Sequence, residues 1–123
     1  MKKTALNIHD RSSIFRLTPG KYYVLILGGW KIEEHRFKVH ITDVQNKESI
    51  TVQRTEWPVQ SIEFGRRAKR YYEFDILTEG EFNVYCENPE SLKVKRSNLM
   101  MFDILFKYVD NHSLEILITP KIM

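Results

Sequence analysis

The sequence predicts an all-β fold: a two-layer antiparallel β-sandwich, Ig-like or jelly-roll-like, of about nine strands. Three observations predict it. Apolar and polar residues alternate with period 2 along much of the chain, as half-buried strands require. Turn-forming residues recur at intervals of roughly 8–12 residues, the spacing of a sandwich or barrel. One segment, Lys21-Tyr22-Tyr23-Val24-Leu25-Ile26-Leu27, is almost wholly apolar, which reads as a strand covered on both sides.

Residues 1–12 read as an N-terminal arm and residues 13–123 as a single sandwich domain. Residues 14–17 form a first strand, turned by Thr18-Pro19-Gly20 into the apolar strand 21–27, which Gly28-Gly29 ends. Residues 36–43 alternate, with Phe37, Val39 and Ile41 on one face. After Gln45-Asn46-Lys47-Glu48, the residues Ile50, Val52 and Arg54 return as the second half of a hairpin. Pro58 excludes a central strand beside Trp57, and residues 59–64 form a weak strand. Residues 68–77 alternate, Thr78-Glu79-Gly80 turns the chain, and Phe82, Val84 and Cys86 share the next strand's face. Asn88-Pro89-Glu90 turns again before a short strand at 92–96. Residues 99–109 fit either period; aromatic and β-branched content favours a strand, joined by a tight connection to the strand 114–118.

The segment Leu17-Thr18-Pro19-Gly20 is echoed by Leu77-Thr78-Glu79-Gly80 at an offset of 60 residues. Two copies of one corner imply two similar positions in a two-sheet sandwich, each glycine supplying a positive φ.

Composition excludes several classes. The chain has 123 residues, 42% of them apolar, and a formal net charge of +3, so it is neither disordered nor long enough for a two-domain enzyme. A lone cysteine, Cys86, excludes a disulfide-stapled scaffold. The opening Met1-Lys2-Lys3 resembles the start of a secretory leader, but Asn7, His9, Asp10 and Arg11 interrupt the apolar stretch a leader needs. No apolar run approaches the ~18 residues of a spanning helix. The expectation is a soluble cytoplasmic protein without a membrane span.

Local motifs for catalysis are absent. His9, His35, His40 and His112 show no metal-ligand spacing, so no metal is expected. Cys86 lies between Tyr85 and Glu87, where a carboxylate opposes thiolate formation. The pairs Glu33-Glu34 and Glu79/Glu81 fall at predicted turns and read as solvated charge. Gly28-Gly29-Trp30 lacks the spacing and following helix of a phosphate loop, so no cofactor is expected. No catalytic residue is assigned.

The charge pattern is more informative. Arg66, Arg67, Lys69 and Arg70 place four cations in five residues, followed by Tyr71 and Tyr72. Residues 73–90 then hold six acids and no Lys or Arg, and Lys93, Lys95 and Arg96 restore positive charge. Cations beside aromatic rings suit single-stranded nucleic acid, the cations taking phosphates and the rings stacking on bases. The plainer reading is that acidic and basic strands neutralise one another across a sheet. Trp30 and Trp57 are candidate exposed anchors on loops, set against the commoner role of core tryptophans.

The Arg-x-x-x-Arg spacing of Arg66 and Arg70 resembles that of the cyclic-dinucleotide-binding PilZ domains. The downstream Asp/Asn-x-Ser-x-x-Gly segment of that family is missing here, so its function is not carried over. The segment from Phe74 to Asn88, with Glu79-Gly80-Glu81-Phe82 before Cys86-Glu87-Asn88, resembles a corner of GOLD-type interaction sandwiches.

The first reading is a non-enzymatic binding module for a protein partner or for itself. Residues 22–27 and 99–106 are apolar on both faces, so another element or a second chain must cover them; a homodimer is the simplest second chain. The alternative is an anion or single-stranded nucleic-acid binder through residues 66–72. The third is a small β-sandwich enzyme with a site assembled from distant strands.

Overall fold

The computed structural model describes residues 4–96 and 107–121. They form β1 (Thr4–Asn7), β2 (Ser13–Leu17), β3 (Gly20–Leu27), β4 (Lys31–Glu33), β5 (Lys38–Asp43), β6 (Ser49–Ile50), β7 (Gln53–Arg54), β8 (Gln60–Glu63), β9 (Arg66–Ile76), β10 (Gly80–Glu87), β11 (Lys93–Lys95) and β12 (Glu115–Pro120). Short 3-10 turns at Pro89–Ser91 and Asn111–Ser113 complete the described elements. The all-β expectation holds, with every pairing antiparallel.

The larger sheet has six strands in the order β1-β12-β3-β9-β7, with β8 also pairing β9. The smaller has four, β2-β10-β5-β6, and β4 pairs β11 as a separate ribbon. One buried cluster joins Val24, Ile26, Phe74 and Ile116 of the large sheet to Phe82 and Val84 of the small one. Each such side chain contributes about 1.5–3 kcal/mol by leaving water.

The strand count exceeds the expected nine for identifiable reasons. The return strand at 50–54 is split: β6 pairs β5 in the small sheet, whereas β7 pairs β9 in the large one. The chain crosses between layers at Thr51 and Val52. Within the N-terminal segment, Thr4–Asn7 adds a strand by pairing β12, and both Leu6 and Ile8 are buried. Alternating apolar residues in that short segment suffice to make an edge strand. Residues 99–106 of the expected strand 99–109 lie outside the described residues. Tyr108 forms an isolated bridge with Lys95, not with β12.

The echoed corners do occupy similar positions. Each crosses from one sheet to the other, and they pair reciprocally: Gly20 lies opposite Ile76, and Gly80 opposite Leu17. Gly20 takes φ 148°, whereas Gly80 is not among the positive-φ residues.

Strand β3 is buried on both faces, as its composition predicts. Val24 and Ile26 enter the main core; Leu25 and Leu27 join Ala68 and Leu117 in a second cluster on the sheet's other face. A single chain buries all four of these β3 residues, so they need no second copy to cover them.

Candidate functional site

Strands β8 and β9 form a hairpin at one edge of the large sheet. Phe64 and Gly65 connect them with φ 53° and 73°, the two positive φ values a type I′ turn requires. The β9 arm carries the cationic run. Register alternation separates its members: Arg66, Ala68 and Arg70 point to one face, and Arg67 and Lys69 to the other.

Each cation is engaged within the chain. Arg66 Nη1 pairs with Glu115, and its Nη2 donates to the Ser113 carbonyl at 3.0 Å. Arg67 donates to the Arg96 carbonyl at 2.7 Å and lies 4.4 Å above the Trp30 ring. Lys69 donates to the Trp30 carbonyl at 3.1 Å; burial, then the neighbouring Arg54, holds its pKa below the usual lysine value. Arg70 lies 3.9 Å above the Tyr23 ring. Neutralisation by neighbouring acidic strands is therefore one part of the arrangement: the carboxylate comes from β12, and carbonyls and rings do the rest.

Tyr71 and Tyr72 both enter the same buried cluster, whereas successive residues of a regular strand point to opposite faces. A register shift explains it. Val24 pairs Tyr72 but Leu25 pairs Arg70, leaving Tyr71 as the extra residue of a β-bulge. Arg54 covers the Tyr71 ring at 3.9 Å, and the Tyr72 hydroxyl donates to Glu34 at 2.5 Å. Burial first, and that hydrogen bond second, raise the Tyr72 pKa. Glu34 also accepts from Arg54 at 3.3 Å. Glu34 thus organises a half-buried network, where the sequence suggested solvated turn charge. Neither tyrosine ring is presented for stacking on a ligand.

The two tryptophans differ. Trp30 is half-buried: its Nε1 donates to the Ser61 carbonyl at 3.3 Å, beneath Arg67. Its preceding Gly29 meets β11 so closely that a Cβ would lie 2.1 Å from the Lys95 carbonyl oxygen. The glycine pair is therefore a packing contact and not a phosphate loop. Trp57 stands out in solvent.

The β8 arm presents the opposite surface. Trp57 is 77% exposed, Val59 44%, Ile62 59% and Phe64 62%. Four large apolar side chains thus reach solvent within eight residues of chain. The sequence singled out Trp57 but not Val59, Ile62 or Phe64. Its overlooked signal is Phe64-Gly65, an aromatic residue directly before a turn glycine.

Other candidate chemistry is dispersed. Cys86 is half-buried, and desolvation, with Asp10 contributing, pushes its thiol up to about 12; it remains protonated at neutral pH. His9 stacks on His112 at 4.8 Å and bonds Asn111 at 2.6 Å, while His40 bonds Glu87 at 2.5 Å. Among the described residues no group of His, Cys, Asp and Glu is arranged to hold a metal. A cavity of about 490 Å³ opens between the sheets, lined by Asp43, Glu48 and Asp75 around Phe74 and Phe82. Asp43 there accepts the Gln45 and Asn46 amides at 2.8 and 3.3 Å. Asp75 lies 4.0 Å from Lys21. No described helix is long and apolar enough to cross a membrane.

Comparison with protein-family models, with curated proteins and with solved structures finds no match to this chain.

Proposed function

We propose that this chain is a non-enzymatic β-sandwich interaction module. Its contact surface is the β8–β9 hairpin with Trp57, Val59, Ile62 and Phe64. The observation that carries this reading is Phe64. A phenylalanine at φ 53° is strained, costing about 1–2 kcal/mol that glycine or asparagine would largely avoid. The strain is not recovered by burial, because the ring is 62% exposed. The turn sets that φ for any residue, so an exposed phenylalanine there in place of glycine or asparagine points to use in contact, and exposed apolar groups clustered on one element are the common mark of an interface.

The cationic segment supports the alternative less well. A nucleic-acid site needs cations free to meet phosphates and rings free to stack; here the four cations have partners and both tyrosines are buried.

The test uses immobilised wild type beside a Trp57→Ala, Phe64→Asn variant. Proteins retained from the host extract by wild type alone are purified, and their affinities for both forms are measured by calorimetry. The expected result is a partner whose affinity falls at least about tenfold in the variant. Equal affinities for both forms, or no partner and no self-association, overturn the reading.

A further inference from the structure

We infer that the surface is occupied by a second copy of the same chain, added as an antiparallel strand beside β8 so that two large sheets become one. This rests on the interaction reading above and names its partner. Across the two-residue turn, Glu63 and Arg66 form the hydrogen-bonded pair. The Arg70 N–H donates to the Val59 carbonyl at 2.9 Å, which fixes the same phase two pairs further on. Alternation along the ladder therefore turns the N–H and C=O groups of Gln60 and Ile62 outward. Among the described residues no strand lies on that side of β8.

The segment complements itself. A two-fold axis at Ser61 sets Gln60 opposite the second copy's Ile62, and Ile62 opposite its Gln60. Each pair exchanges backbone hydrogen bonds in both directions. In the same register Glu63 faces Val59, and Phe64 comes against Pro58 beside Trp57. No like charges oppose one another, and the exposed apolar side chains flank the new strand pair. The usual blocks to such pairing are few. Residues 57–64 contain no Lys or Arg, and Pro58 lies outside the strand. The small-sheet edge strand β6, by contrast, has only two residues.

The experiment is sedimentation equilibrium of the purified full chain across micromolar concentrations, with two double variants. In Gln60→Glu, Ile62→Glu, the register sets carboxylates of opposite copies against one another, and dimerisation weakens at least about 100-fold. In Gln60→Lys, Ile62→Glu, each ammonium meets a carboxylate, and the dimer stays within about tenfold of wild type. The first variant keeps its fold, because the substituted positions neighbour Lys69 and Arg67 of the same chain; circular dichroism checks both.

A wild type that stays monomeric overturns the inference. A dimer that ignores both variants, or that both weaken equally, overturns it too. The interaction reading fails separately: it survives a monomeric wild type if a different protein is bound through Trp57 and Phe64.

Discussion

Strands β8 and β9 are two arms of one hairpin, and they treat their conspicuous side chains in opposite ways. On β9, Arg66, Arg67, Lys69 and Arg70 engage a carboxylate, three carbonyls and two rings of their own chain. On β8 and its flanks, Trp57, Ile62 and Phe64 stand in solvent. The difference follows from what each group can find at home. A cation has many acceptable partners, including backbone oxygens and aromatic faces. A large apolar side chain is relieved only by burial. A charge run is therefore a weaker indicator of a binding site than an apolar group left exposed at a cost.

The largest expected effect tests the contrast directly. Tyr72→Ala empties a core position and frees Glu34, so it should cost about 3–5 kcal/mol in urea unfolding. Trp57→Ala should fall within about 0.5 kcal/mol of wild type. If Trp57→Ala costs as much as Tyr72→Ala, the contrast between the arms is broken.

Next in size is the opposite sign at the turn. Phe64→Asn relieves a strained φ and should stabilise the fold by about 1 kcal/mol while weakening association. A loss of stability would show that the exposed ring serves the fold.

The cations come third. Arg66→Ala strips half-exposed Glu115 of its partner and should cost about 1 kcal/mol, discounted for solvent screening. Replacing Arg66, Arg67, Lys69 and Arg70 together should lower stability further without removing a specific nucleic-acid site. Fluorescence anisotropy with labelled single-stranded RNA at low salt checks the second part; tight, salt-sensitive binding lost in the variant would return the cationic arm to first place.

The smallest effect lies further along β9. The Lys21 hydrogen bond holds the Glu73 carboxyl below its ordinary pKa. Its stabilisation is therefore complete above the ordinary carboxylate range and is lost as pH falls through the lowered folded value. Glu73→Gln should flatten the acid limb of a stability–pH curve by about 0.3–0.5 kcal/mol. An unchanged limb would place that ion pair among those that contribute nothing measurable.

Much of the fold was legible because its signals are local. Alternation marks a strand through the geometry of successive side chains, so β3, β5, β9, β10 and β12 follow from their own residues. The paired corners at Gly20 and Gly80 were legible as a repeat for the same reason. The candidate surface was legible only in part: Trp57 could be singled out, but Ile62 and Phe64 could not, because alternation does not say which face remains uncovered.

The sequence by itself determined an antiparallel β fold with one strand buried on both faces. Only the tertiary structure decided which conspicuous groups are spent internally. Arg66 meets Glu115 across 49 residues, Lys69 meets the Trp30 carbonyl across 39, and Arg67 meets the Arg96 carbonyl across 29. The bulge at Tyr71 turns two successive rings into the core. Strand pattern is set by near neighbours along the chain, whereas exposure is set by elements that meet only when the sheets close.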